Sequence, residues 1–235
     1  LREGAEVEIQ RAVSGRVHRA EKHLDVKINF EPIEVTLPPK ARRAYDELEE
    51  AFITEWRGET IMAMNGAVAT TKLRQAANGA VYYDHERNWV KLHDEKVNAL
   101  SKLIRQLKGK PLLVAYEYGH DYEMLQRAGI RFPSYSEAKK GAERTKLKEA
   151  WNRGDLKILG SQIDALSHGQ NLQSGGCNLA YYGLCYNLEA FDQFYQRVWR
   201  KGQESDVTAY PIVAKNTVDE IMQDVLNVRG HDQKM

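Results

Sequence analysis

The sequence predicts an α/β fold, a mainly parallel sheet flanked by helices and preceded by a mainly helical insertion. Three observations lead there. From residue 111 onward the short apolar runs "PLLVAY", "GIRF", "LKILG", "NLAYYG" and "VTAYPIVA" are separated by helical or polar stretches, the alternation that parallel strands and their crossover helices require. Upstream, the apolar residues recur mostly at helical spacing. Finally, 235 residues at 42% hydrophobic content can bury a sizeable core.

In order along the chain, Ile9, Val13, Val17 and Leu24 suit a first amphipathic helix, with Arg11, Arg16, Arg19 and Lys22 on a solvated face. "PIEVTLPP" alternates Ile33, Val35 and Leu37 like a strand and ends at Pro38-Pro39. A helix marked by Ala41, Tyr45, Leu48 and Phe52 follows, then a second one containing "AVATTKLRQAANG" and closed by Gly79. "VYYDHERNWVKL" reads as a short hairpin or extended link. Asp94 stands where it would cap "EKVNALSKLIRQLKGK", whose stripe is Val97, Leu100, Ile104 and Leu107 and whose stop is Gly109. Further helices are expected near Asp121 to Arg127, from Arg144 to Trp151 and at Glu189. A last one begins at Thr217, which with Glu220 has capping-box spacing before Ile221 and Val225. The expected division is a helical insertion and linker over 1–90 and the α/β lobe over 91–235.

Lys and Arg number 34 against 33 Asp and Glu, so no global field attracts a polyanion and any nucleic-acid surface must be local. Cys177 and Cys185 read as reduced thiols. His168 lies upstream of them, but the irregular spacing argues against a three-ligand site, and no metal is expected on this chain. The apolar runs are too short to cross a bilayer and no apolar signal region opens the chain, so a cytoplasmic location is expected, with no membrane partner. Because it starts at Leu1, the chain reads as a piece of a longer polypeptide.

The loop "SQIDALSHGQNLQSGG" follows "LKILG" and is expected in the crevice outside the strand carboxyl ends, with Gly169, Gly175 and Gly176 allowing close approach to a phosphate. No G-x-x-x-x-G-K-[ST] phosphate loop occurs. In "DQFYQRVWRKGQ", helical geometry would put Arg197 and Arg200 on one face with Gln193 and Gln196, and Phe194, Tyr195 and Val198 on the other. Two guanidiniums held rigidly suit the charge on a transferring phosphoryl group. A solvent-facing or ion-paired helix edge is the plainer alternative.

Those residues reproduce D-Q-x-x-x-R-x-x-R-x-G-Q, which resembles motif VI of chromatin-remodeller-type superfamily-two helicases. "GQNL" at Gly169 to Leu172 resembles motif V, "CYNLEAFDQ" the approach to motif VI, "KLRQAANG" the L-R-Q-x-x-N helix, "HDEKVNALSKLI" the S-x-K-x-x-x-L-x-x-L-L element, "KPLLVAYEYGHDYEML" motif IV, and "DVTAYPIVAKNTVDEIM" the closing strand and helix. Compact size and "YEYGHD" are closer in character to phage or prophage members. The chain departs from the family at Ala165-Leu166-Ser167, where A-G-G is usual, and at Gln196, which replaces a glycine.

The resemblance implies the second, C-terminal RecA-like lobe of an ATP-dependent DNA helicase or translocase. It implies ATP with Mg2+, held mainly by an N-terminal RecA-like lobe of the same polypeptide, and a chain that is inactive alone. Arg197 and Arg200 would be arginine fingers, Gln193 and Gln203 would orient them, and Gly169 and Asn171 would lie near the ribose or the lobe interface. DNA, expected as duplex, would be held through its backbone, with Tyr116 and His120 after the motif IV strand and Ser167 and His168 in motif V as contacts. "KKGAERTKLKE" is basic but interrupted by Glu143 and Glu149, and reads as a solvated helix face. The competing readings are a non-enzymatic DNA-binding or scaffold module that keeps the fold, and an unrelated nucleotide-binding α/β domain.

Overall fold

The unbroken apolar run Leu112–Tyr116 forms a strand buried on both faces, as a strand inside a parallel sheet must be. The computed structural model describes residues 24–56, 62–139, 141–166, 170–185, 187–221 and 223–224. In chain order the elements are β1 (Ile28–Phe30), β2 (Ile33–Val35), α1 (Pro39–Trp56), α2 (Met62–Asn78), β3 (Ala80–Tyr82), β4 (Trp89–Lys91), α3 (Glu95–Gln106), β5 (Leu112–Tyr116), α4 (Gly119–Arg127), α5 (Ala142–Asn152), β6 (Ile158–Gln162), a 3-10 turn at Asp164–Leu166, β7 (Asn178–Tyr181), α6 (Leu188–Tyr195) and β8 (Val207–Ala214).

The main sheet runs β1-β8-β7-β5-β6, with β2 also paired to β8. All of these pairs are parallel. Alternate residues divide between two cores: Leu113, Ala115, Leu179 and Tyr181 meet Trp151, Phe191 and Phe194 on one face, and Leu112, Val114, Ala180 and Tyr182 meet Val97, Leu100, Leu103 and Met124 on the other. α1 and α2 close a third cluster, Leu37, Tyr45, Leu73 and Ala77 against Ala214 and Val218. The β3–β4 hairpin forms where the sequence predicts a hairpin or link. Gly79 joins it to α2 at φ +116, a left-handed conformation with His93 O only 2.6 Å from where a Cβ would stand.

Several expectations are corrected. "GIRF" is not a strand: the chain makes a single bridge there, Ser134 to Gly160, while Ile130 and Phe132 pack into the core from an irregular segment. The unpredicted β1 pairs with Val207–Ala209, and "PIEVTLPP" contributes β2, paired with Ile212–Ala214. Asp94 occupies the N-cap position of α3 without a capping hydrogen bond, because its carboxylate binds Lys91 at 2.9 Å. Helical backbone begins at residue 218, and Thr217 Oγ1 accepts from Asp219 N at 3.2 Å. Val225 lies outside the described residues, as does the helix expected along Ile9, Val13, Val17 and Leu24 apart from Leu24 itself, which is not helical.

A buried polar chain ties these layers together. Lys96, with 0% of its side chain exposed, lies 2.6 Å from the Asp219 carboxylate and donates to Asn78 Oδ1 at 2.8 Å. Asn78 Nδ2 donates to Asp121 at 3.1 Å, and Asp121 accepts the backbone N–H groups of Glu117 and Tyr118. Nearby, burial lowers the His93 pKa to about 4, and His93 Nε2 meets Ala76 O at 3.0 Å.

Two predictions follow from this interior. Lys96→Met leaves Asp219 buried without its cation and should cost about 3–5 kcal/mol in denaturant unfolding; an unchanged midpoint would show the pair to be dispensable. His93 is neutral in the fold but protonates near its ordinary value when unfolded. Its contribution is therefore complete above pH about 6.5 and is lost as pH falls toward 4, on the order of 3 kcal/mol at full effect. His93→Gln should flatten the fall in Tm between those values, and a parent and variant of equal slope would refute the assignment.

Candidate functional site

α6 starts because Asn187 Oδ1 accepts Ala190 N at 3.1 Å. It stops at Tyr195, so Arg197 and Arg200 lie in a turn beyond the helix and not on its face. The bonds Arg197 N to Phe194 O and Val198 N to Tyr195 O tighten the chain into i→i+3 geometry. Val198 is wholly buried, and Trp199 Nε1 reaches Val26 O at 2.9 Å. These anchors hold the turn while both arginines stay half-buried at its surface.

The turn is fastened to residues 170–176. Leu172 N donates to Arg197 O at 3.0 Å, and Arg200 Nη1 donates to Asn171 Oδ1. Gln203 Nε2 donates to both Gln173 O and Gly176 O at 3.0 Å, while Gln203 Oε1 accepts Glu204 N and Ser205 N. Behind this segment, Trp151 Nε1 donates to Leu172 O at 2.9 Å and Asn152 Nδ2 to Asn171 O at 2.8 Å. Burial and the neighbouring Arg200 guanidinium both pull the Arg197 pKa down. Two like charges so placed repel, and an anion between them would relieve both.

The site lies away from the expected crevice. α5 and α6 end where β6 and β8 begin, and the position of a Gly176 Cβ is 2.8 Å from Pro111, just before β5. The cluster therefore sits toward the amino ends of the strands. The carboxyl-end crevice between β5 and β7, where the strand order reverses, is filled from within. Arg74 lies 2.8 Å from Glu117 and donates to Leu184 O at 2.9 Å, and Asn78 Nδ2 is 2.7 Å from where a Gly183 Cβ would stand. Gly175 and Gly176 likewise make room for Trp151 and Pro111, with a Gly175 Cβ position 2.2 Å from the indole.

No protein-family model matches the chain. Over 200 residues it is 35% identical to protein p41 of Acyrthosiphon pisum secondary endosymbiont phage 1, covering 83% of this chain and 42% of the phage protein. Among solved structures, the Sulfolobus solfataricus SWI2/SNF2 ATPase core in complex with dsDNA superposes with TM-score 0.68 at 17% identity, over 95% of this chain and 50% of that one. The C-terminal part of the Fun30 ATPase domain superposes with TM-score 0.68 at 16% identity, over 86% of this chain and 90% of that one. The fold is that of a SWI2/SNF2-type C-terminal lobe.

Within this fold the sequence-predicted residues fare unequally. Arg197, Arg200, Asn171 and Gln203 come together as described. Gln193 does not join them: its Nε2 donates to Glu189 at 2.9 Å, one turn back on α6. Tyr116 is fully buried, its hydroxyl bonded to Ser134 and Ser136 at 2.7 and 2.8 Å, which takes its side chain off any DNA-facing surface. His120 is also fully buried, its ring packed against Tyr82, Tyr118 and Trp89. Ser167, His168 and Gly169 lie outside the described residues. Cys177 and Cys185 are free thiols, and burial raises Cys185 to about 12. Among the described residues no three His, Cys, Asp or Glu side chains group as metal ligands, and no helix is long and apolar enough to cross a membrane.

Sequence reasoning missed Trp151 and Asn152. Consecutive donors at the end of a predicted helix, ahead of a loop rich in glycine, were the available signal. Gly175→Ala would drive a methyl group into the Trp151 indole and should cost about 1–3 kcal/mol, read as a lower denaturation midpoint; a neutral change would mean the loop gives way.

Proposed function

We propose that this chain is the C-terminal lobe of an ATP-dependent DNA helicase or translocase, presenting Arg197 and Arg200 to a nucleotide held by an N-terminal lobe of the same polypeptide. The observation that carries the reading is the arginine turn itself, with both guanidiniums half-buried at its surface and that of Arg200 seated on Asn171. Fixed guanidiniums fit triphosphate oxygens and can stabilise charge developing on the γ-phosphoryl group without reorganising. ATP with Mg2+ would supply the hydrolysis that moves one lobe against the other; the metal and most of the phosphate contacts fall to the N-terminal lobe, since this chain has no phosphate loop.

On this chain, Arg200 is aimed by Asn171, and Gln203 fixes the turn by holding the carbonyls of Gln173 and Gly176. Gly169 is proposed at the same lobe interface. The likeness to a SWI2/SNF2 core whose structure contains dsDNA supports duplex DNA as the polymer, with Ser167 and His168 of motif V as backbone contacts. The chain spans 42% of the length of its phage relative, which leaves room for a further lobe in a protein of that size. A bacterial or phage-infected cytoplasm suits these partners.

The test is ATP turnover by the complete polypeptide, with and without duplex DNA, beside its Arg200→Ala variant and beside this chain alone. The parent should be stimulated by DNA, Arg200→Ala should fall by about three orders of magnitude or more, and this chain should be silent. Turnover by the chain alone would favour the unrelated nucleotide-binding domain, and an Arg200→Ala enzyme as active as the parent would favour the scaffold.

A further inference from the structure

We infer that Asn152, at the carboxyl end of α5, is a positioning residue for the Arg200 guanidinium and acts through Asn171. This rests on the reading of Arg200 given above. Residues 170–172 belong to no helix or strand, so the direction of their peptide groups is set by outside partners. α5 supplies two of these from consecutive residues: Trp151 holds Leu172 O at 2.9 Å, and Asn152 holds Asn171 O at 2.8 Å. On its other side the same residue, Asn171, receives Arg200 through Oδ1. The peptide group that Asn152 grips therefore carries the side chain that aims the arginine.

The two donors differ in what their loss would do. Trp151 is wholly buried in the core, and removing it would open a cavity and unfold more than it informs. Asn152 is half-buried at the end of the helix, with its hydrogen bond near the surface, so its loss should cost little stability. What it should cost is geometry. Without the Asn152 donor the Asn171–Leu172 peptide keeps its Leu172 N bond to Arg197 O but loses the partner that fixes its carbonyl, so it can tilt about that bond and carry Oδ1 out of alignment with Arg200. Displacements on the scale of 1 Å at such a group are worth up to about 100-fold in rate.

The experiment uses the complete polypeptide and measures kcat and KM for ATP with duplex DNA, together with Tm, for Asn152→Ala, Asn152→Asp, Asn152→His and Arg200→Ala. Asp keeps the shape but lacks the N–H donor, whereas His restores a donor at nearly the same place. A loss of about 10-fold in kcat is expected for Ala and Asp, with KM and Tm near those of the parent, and substantial recovery in His. Three results would overturn the inference. Parental kcat in Asn152→Ala beside a dead Arg200→Ala would remove Asn152 and leave the arginine reading standing. Equal losses in Ala, Asp and His, tracking a lower Tm, would reduce Asn152 to a structural role. An active Arg200→Ala would remove the arginine reading and this inference with it.

Discussion

The buried ammonium of Lys96 is the interaction around which the rest of this lobe is arranged. A lysine with no exposed side chain must have its charge answered on the spot, and the answer draws Asp219 from beyond β8 and Asn78 from the end of α2 into one place. Asn78 passes the constraint on to Asp121, whose carboxylate receives the backbone of the segment after β5. Tyr182, beyond β7, adds a bond to Asn78 O at 2.8 Å. Three helices and three strand exits are thus registered by a single charge, which apolar packing alone would specify less sharply.

That arrangement explains where the arginine site is found. The polar groups that could have lined an open crevice at the carboxyl ends of β5 and β7 are committed to one another, with Arg74 and Asn78 acting as internal occupants. The arginine turn lies on the opposite side, where α5 and α6 end. There the backbone of residues 171–176 is held by Trp151, Asn152 and Gln203. The glycines of that segment serve the indole and Pro111, not a phosphate. The result is a stiff bracket carrying two cations.

The sheet strands rich in apolar and β-branched residues were legible in the sequence, as were the helix over Glu95–Gln106, the hairpin or link and the pairing of Arg197 with Arg200, whereas the contact of Asn171 with Arg200 was not. What was not legible shares a physical cause. "GIRF" has strand-like composition, but its apolar side chains fill the core from a segment whose pairing is limited to one bridge at Ser134, and pattern alone does not separate those cases. α6 keeps helical periodicity through Arg200, yet its end is decided by Trp199 reaching Val26, a partner 173 residues away. Tyr116 and His120 look like exposed polar groups after a strand, and only the tertiary structure reveals the serines and aromatic rings that enclose them.

The two short strands at the edge of the sheet have a consequence for how the chain folds. β1 and β2 both lean on β8, and the approach to that pairing already joins Lys27 to Asp206 across 179 residues. On the ribosome, strands β5, β6 and β7 with their helices have partners as soon as they emerge, but β1 and β2 must wait for almost everything between them and β8 to be made. Until β8 arrives, one side of β7 is an unpaired template flanked by apolar side chains. Among the described residues β8 is therefore the strand that both seals this border and recruits β1 and β2, so the sheet stays adhesive on that side until β8 has been made.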